Sequence, residues 1–437
     1  MCASGPSGPD RGGVWIRIAE GCLLAYLLTL PAGMFMPDWV RDWLLYAMIG
    51  ASVFDAALGP RDLADRVGFR RWRGLVPVGV YLAVHALTIV TSEHRELSLR
   101  LSTFMPVVAI VFLITRRVLL TRGAIDRLFG CLGLIAVVIS VDGASRALFS
   151  WSPLTMGSVR VFDRVSASLP HPNDLVIVPV LLPFAWEWLR ARGWRWLVIG
   201  CVLIGPAVVV SLIASKSRNA WLTMGGVVFV WAWLVVGWRV ALGAAGAIVC
   251  LVGGLLALDL MGVRDRASDF LRLRQDGRVG LWIVAWAMFR ESPVLGKGVF
   301  TFGEYYKPSW YGFRVTFPEW YETEKRIIPW AHNLVLEMLS ERGLVGLASF
   351  VYLIGSAVAS VRARLREPRV AAAATALAGF LGASLVDLTL MKDWVALMLF
   401  LLLAVLWRLA DGDPGDGEAK KVTAPTGVEA AAGGKLG

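Results

Sequence analysis

Stretches of roughly 18 to 22 residues run through this chain almost without charge, the length a helix needs to cross a bilayer core about 30 Å thick. Val240–Val263, Gly343–Val361 and Trp394–Leu409 are clear cases. A soluble chain alternates apolar with polar residues, so that each element keeps one wet face. Here hydrophobic residues make up 57% of 437, charged residues 18%, and mean hydropathy is +0.63, which leaves no place for a conventional soluble core. The fold class expected is all-α, a polytopic integral membrane protein with about 12 transmembrane helices.

The spans read as 15–36, 40–58, 74–91, 101–117, 127–143, 174–189, 196–214, 220–237, 240–262, 343–361, 370–388 and 394–410. Their orientation follows from the short loops. Arg61, Arg66, Arg70, Arg71 and Arg73 lie between the second and third spans, and Arg116, Arg117 and Arg122 follow the fourth. Arg190, Arg192 and Arg195 follow the sixth; Arg362, Arg364, Arg366 and Arg369 follow the tenth. All fall on one side if both termini are cytoplasmic, as the positive-inside rule requires. The net charge of +11 is therefore read as loop arginine facing a membrane, with no nucleic-acid partner. The five cysteines, Cys2, Cys22, Cys131, Cys201 and Cys250, show neither metal-ligand spacing nor a disulfide framework. The polar N-terminus runs straight into a span, so no cleavable signal is expected.

The organisation predicted is nine spans over 1–262, an outer loop over 263–342 that carries the chemistry, three spans over 343–410, and a disordered cytoplasmic tail over 411–437. A loop as long as 263–342 is usually functional. The segments 144–173 and 215–219 fall on the same outer side.

Only four histidines are present. His85 lies inside a span and reads as a packed core residue, and His94 reads as a solvated loop residue. His171, in Leu169-Pro-His-Pro-Asn173, marks a rigid turn. His332 opens the run Ala331–Gly346, in which Asn333, Glu337, Ser340 and Glu341 recur at helical spacing as one polar stripe. Such a stripe should face a wet cavity or protein, not lipid. The plainer reading is a surface helix with His332 in its cap region; on spacing alone the two stand level.

Cations collect on the same side. Ser215-Lys-Ser-Arg-Asn219 holds Lys216 and Arg218 at the bilayer surface, and Asp276-Gly-Arg278 opens a helix expected to lie on the membrane. Arg160 and Arg164 come from the 144–173 loop. Guanidinium forks bind phosphate bidentately, so a pyrophosphate or phosphorylated sugar fits; anionic lipid head groups would explain some of these arginines as well. Tyr305, Tyr306, Trp310, Tyr311, Trp320, Tyr321 and Trp330 could stack on sugar rings, but interfacial belts use the same residues.

These segments resemble the O-antigen ligase family, within the ligase and polymerase superfamily of bacterial surface polysaccharide assembly. The most specific stretch is His-Asn-x-x-Leu-x-x-x-x-Glu-x-Gly-Leu-x-Gly at His332–Gly346. Gly-Arg-x-x-x-Trp-x-x-Ala at Gly277–Ala285, followed by Pro293 and Gly296-Lys-Gly298, comes next. Ser-x-Ser-Arg at Ser215–Arg218 and Pro172-Asn173 complete the match. The resemblance implies a GT-C-like membrane glycosyltransferase of the bacterial inner membrane. It would take a glycan from an undecaprenyl diphosphate carrier on the periplasmic face and join it to the lipid A–core of lipopolysaccharide. His332 would be the general base, with Arg218 and Arg278 beside the leaving diphosphate. Arg160, Lys216, Asn333 and Glu337 would bind substrate.

A single displacement with an external base would invert the anomeric centre. No metal or other cofactor is expected. The first outer loop holds only Asp38, Asp411-Gly-Asp413 falls in the cytoplasmic tail, and Glu322-Thr-Glu324 sits beside Lys325 and Arg326. The nearest rival is an O-antigen or exopolysaccharide polymerase. A membrane transporter or lipid flippase would place its ionisable residues at mid-membrane instead.

Overall fold

The computed structural model describes residues 13–29, 38–58, 74–119, 121–158, 164–258, 278–317 and 328–412. Among them the chain is almost wholly helical. The long helices are α1 (Val14–Leu28), α2 (Asp38–Leu58), α3 (Leu75–Val90), α5 (Met105–Val118), α6 (Arg122–Phe149), α7 (Ile177–Arg190), α8 (Trp194–Ser215), α9 (Arg218–Val235) and α10 (Trp238–Leu258). The short α4 (Arg95–Leu101) precedes α5. After the helices α11 (Arg278–Glu291), α12 (Phe302–Tyr305) and α13 (Pro308–Tyr311) come α14 (Leu334–Val361), α15 (Pro368–Ser384) and α16 (Asp393–Ala410). The one sheet among the described residues is a hairpin of two-residue strands, β1 (Trp151–Ser152) and β2 (Gly157–Ser158).

Each of the twelve expected spans overlaps a described helix, with 30–36 and 259–262 outside the described residues. Among the described residues, five segments are long and apolar enough to cross a membrane: Arg95–Val118, Arg122–Phe149, Trp194–Ser215, Leu334–Arg364 and Asp393–Ala410. The chain is thus a multi-pass helical membrane protein. Several boundaries differ from the sequence reading. Helix α6 runs to Phe149, several residues into the loop expected from 144. Helix α15 stops at Ser384, so Asp387 lies in a linker and not in the expected 370–388 span. Asp411, expected in the tail, accepts a 2.8 Å ion pair from Arg116.

Helix α16 is the centre of the bundle: 83% of its apolar window is buried, against 28% for α8. Two such apolar helices differ only in what surrounds them, protein for α16 and an apolar solvent for α8. Close approach depends on small residues. A Cβ at Gly133 would meet the backbone of Ala185, and one at Gly130 the indole of Trp188, which lets α6 and α7 pack tightly. Serine hydroxyls are absorbed inside the helices, as in Ser140 to Ala136 O, Ser211 to Val208 O and Ser349 to Gly346 O.

The segment 278–317 folds against α14 through an interlock of two motifs. At Gly343 the helix breaks, with φ at 63°. The segment Pro293–Gly298 inserts at the break and takes up the freed groups. Leu344 N and Val345 N donate to Pro293 O and Val294 O at 2.8 and 3.1 Å, while Lys297 N and Gly298 N donate to Ser340 O and Glu341 O at 3.0 and 2.9 Å. A Cβ at Gly343 would collide with Val294 backbone, and one at Gly296 with Glu341 backbone. Glu341 accepts Phe300 N and Phe302 N at 2.9 and 3.1 Å, fixing the next turn. Leu281, Val284, Met288, Phe302, Tyr305, Tyr306 and Tyr311 then form a small core of their own. Those three tyrosines are core residues, whereas Trp320 and Tyr321 lie outside the described residues.

Candidate active site

The linker after α15, 385–392, organises the site. Asn219 Nδ2 donates to Ala383 O at 2.9 Å, and Asn333 Nδ2 donates to Leu385 O at 2.9 Å. Asn333 also caps α14, accepting Leu336 N at 3.0 Å. Thr389 donates to Glu337, which is 4% exposed. The polar stripe of α14 is therefore spent on protein. Glu337, Ser340 and Glu341 are all buried, and Glu337 steadies the linker.

Between these anchors sits Asp387, a residue the sequence reading passed over. Its Oδ1 is 2.5 Å from His332 Nδ1, and its Oδ2 is 3.8 Å from a guanidinium nitrogen of Arg278. Trp330 Nε1 lies 3.2 Å from the same imidazole nitrogen. One nitrogen cannot both accept from the indole and donate to the carboxylate. The shorter, charge-assisted contact decides, so Nδ1 carries the proton and donates to Asp387. Nε2 is then left as a lone-pair acceptor. Burial works to raise the carboxyl pKa of Asp387, but the hydrogen bond and charge of His332, with Arg278 and Lys392, hold it below the usual range.

His332 has φ at 52°, the left-handed region that histidine adopts rarely. The cost is of the order of 1 kcal/mol, and its neighbours over-determine it: Asn333 caps the helix, Trp330 lies beside the ring and Asp387 grips the imidazole. Strain of this kind collects where a side chain must point one way.

The loop 164–176 closes the cluster. Lys392 Nζ is 2.6 Å from Asp174 Oδ1 and sits 5.5 Å from the Trp330 ring centre. Arg164 donates to Ser215 O at 2.8 Å and to Asn173. His171 Nδ1 accepts Asn173 N at 3.1 Å and caps the 3-10 turn Pro172–Val176. Burial pushes the His171 imidazole below its usual pKa; Asp387 and Asp174 oppose this, and Arg164 and Lys392 reinforce it.

The expected site residues divide accordingly. Arg278 and His332 meet through Asp387, and Asn333 and Glu337 hold the linker. Lys216, at φ 49°, lies on the two-residue turn after Ser215, whose carbonyl Arg164 grips, and Arg218 is the first residue of α9. Arg160 lies outside the described residues, as do Glu322 and Glu324. Asp387 had a signal in the sequence, an acid in an otherwise apolar run. Alongside α11 runs an apolar groove of about 600 Å³, bordered by Trp282, Trp286 and Leu336, with Arg290 and Arg314 at its rim. His85, by contrast, is packed in the core with its Nε2 3.0 Å from Ser102 Oγ.

Such a cluster can take a proton at one nitrogen, hold the resulting imidazolium against a carboxylate, and place cations beside an anionic group. Residues 206–351 match the protein family described as O-antigen ligase. The O-antigen ligase of Salmonella typhimurium (strain LT2) is 28% identical over 202 residues, which cover 44% of this chain and 47% of that protein. The match thus spans about half the length of that relative. The matched family segment contains Ser215–Arg218, Arg278 and His332 but not Asp387 or Lys392. The resemblance read from the motifs is borne out: residues 206–351 match the O-antigen ligase family model, and the similar Salmonella protein is an O-antigen ligase.

Proposed function

We propose that this protein is an O-antigen ligase of the bacterial inner membrane. It transfers polysaccharide from undecaprenyl diphosphate to the lipid A–core in the periplasmic leaflet, with inversion and without a metal. The observation that carries this reading is Asp387, held at 2.5 Å from His332 Nδ1 and 3.8 Å from Arg278. One carboxylate thereby orients a base and positions a cation.

The acceptor hydroxyl gives its proton to His332 Nε2 as its oxygen attacks the anomeric carbon. The bond to the diphosphate oxygen breaks on the opposite face, and the electron pair leaves with the phosphate. Asp387 stabilises the imidazolium, a role that does not require it to be protonated. Arg278 and Arg218, with Lys216 and Arg160, offset the charge that builds on the leaving group. Asn333 and Glu337 act by holding the linker and the helix start, and the groove beside α11 offers an apolar path for a lipid tail.

Chain direction supports the orientation. Helices α14, α15 and α16 place His332, Asp387 and Lys392 at one end and Arg362, Arg364, Arg369 and Arg408 at the other. With the arginine end cytoplasmic, the site is periplasmic and both termini lie inside. The reading is tested by the lipopolysaccharide ladder of a deletion strain. Long lipid-linked polymer left unattached to core is the result expected. Single repeats on core would make the protein a polymerase, and the absence of periplasmic polymer would make it a flippase.

A further inference from the structure

The turn Leu169-Pro-His-Pro-Asn173 has no part in the reaction described above, yet it is fastened to both sides of the site. Asn173 takes a hydrogen bond from Arg164, which also donates to Ser215 O at 2.8 Å. That ties the turn to the segment carrying Lys216 and Arg218. Asp174, 2% exposed, holds Lys392 Nζ at 2.6 Å and ties it to the linker that carries Asp387. His171, just ahead of both anchors, is itself exposed. The charged groups that act on it are Asp387, Asp174, Arg164 and Lys392, two of each sign.

The backbone fixes which nitrogen of His171 carries its proton. Asn173 N donates to Nδ1 at 3.1 Å. A backbone N–H can only donate, so Nδ1 must hold a lone pair and the proton of the neutral ring is on Nε2. His332 is set the other way, its proton held on Nδ1 by Asp387. Two imidazoles of opposite tautomer therefore serve one site, the first offering a donor and the second an acceptor. Among the described residues, nothing accepts from His171 Nε2. Burial keeps the ring below its usual pKa, which leaves it neutral near pH 7.

We propose that His171 binds the donor, its Nε2–H donating a hydrogen bond to a phosphate oxygen of the lipid-carrier diphosphate. The assignment rests on the transfer reaction proposed above and adds a binding residue to it. A nitrogen that can only donate matches an oxygen that has no proton to give. Through Arg164 the turn is held against the same Ser215–Arg218 segment that faces the leaving group. As the bond to the diphosphate oxygen breaks, charge grows on the phosphate and this hydrogen bond strengthens, while the proton stays on Nε2. The ring does not become a second base beside His332, because Asn173 already occupies its Nδ1 lone pair.

The test uses full-length protein in detergent with undecaprenyl diphosphate as the probe, so that neither glycan nor acceptor enters. His171→Asn is the informative variant. Its side-chain oxygen can still accept the N–H two residues on, as asparagine does at helix starts, but its shorter amide does not reach where Nε2 does. It should melt near the parental temperature and bind undecaprenyl diphosphate about tenfold more weakly, the loss expected of a hydrogen bond to a charged group. Unchanged affinity would overturn the assignment. So would a variant whose only defect is a raised KM for the core acceptor, which would put the hydrogen bond on a sugar hydroxyl. In the parental protein, undecaprenyl diphosphate should shield His171 from carbethoxylation by diethyl pyrocarbonate, read on its peptide by mass spectrometry. Full labelling with the diphosphate bound would overturn the assignment even if the variant folds poorly. Parental protein that binds the probe but attaches no glycan to core would overturn the ligase reading instead, and weaker binding by His171→Asn would still uphold this contact.

Discussion

Both ends of the bundle carry basic residues, and they use them differently. At the arginine end, the cations tie the fold together: Arg116 to Asp411, Arg117 to Asp55 and Arg369 to Asp126, each at 2.7 or 2.8 Å. At the other end Arg164 is held by a backbone carbonyl and an amide side chain, and Asp387 is shared between His332 and Arg278. A carboxylate given to one arginine fixes a loop. A carboxylate divided between an imidazole and an arginine orients the imidazole and holds the cation beside it. The pairing of these side chains is what distinguishes the two ends.

That contrast can be broken by substitution, beginning where the effect should be largest. His332→Ala should reduce glycan transfer by about 10³-fold or more while the lipid-linked donor still binds, measured with purified protein, carrier-linked glycan and core acceptor. His94→Ala should leave transfer near the parental rate. Arg278→Ala and Arg218→Ala should each cost about 10- to 100-fold, and, unlike the histidine variant, should weaken donor binding. Lysine should rescue only in part, because it lacks the fork. Normal donor binding and transfer by both alanine variants would remove the cationic site from the account.

At the arginine end the prediction inverts. Arg117→Ala should lower stability by about 1 kcal/mol, read as a fall in melting temperature, and leave transfer per folded molecule unchanged. A specific loss of transfer there would erase the distinction between the ends. The smallest effect concerns pH. His171 has a folded-state pKa below its ordinary 6.5, so the unfolded chain binds the proton more readily. Its stabilising contribution is full above pH 6.5 and is lost as pH falls through the folded value. The melting temperature should therefore decline on acidification below about 6.5, and His171→Gln should flatten that decline. The proposed mechanism calls on no divalent metal. Transfer should persist in excess EDTA; loss of activity restored by magnesium would direct attention to Glu322 and Glu324.

Much of the scaffold was legible because membrane helices advertise themselves by length and uniform apolarity. The crossing of Pro293–Gly298 over the break at Gly343 was not, although both glycine motifs were visible. Nothing local says that two glycines far apart in sequence meet backbone to backbone. His332 and Arg278 were singled out because their neighbours form recognisable patterns. Asp387 was missed because Leu385, Val386 and Leu388 around it read as a continuing span. Only the end of α15 at Ser384 exposes it as a linker residue. Spacing left the stripe on α14 open between a protein-facing stripe and a surface helix; in the structure Glu341 serves the turn at Phe300 and Glu337 the linker at Thr389.

The pairing of Asp387 with His332 is the point on which the account rests, and its direct measurement is a double-mutant cycle. Single-turnover transfer is compared for Asp387→Asn in the parental protein and in the His332→Ala background. If the carboxylate works through the imidazole, Asp387→Asn should cost about 10²-fold in the parental protein. It should then cost almost nothing further on the residual rate of His332→Ala, since groups acting as a unit are not additive. An equal loss in both backgrounds would contradict the account, because Asp387 would then act without His332.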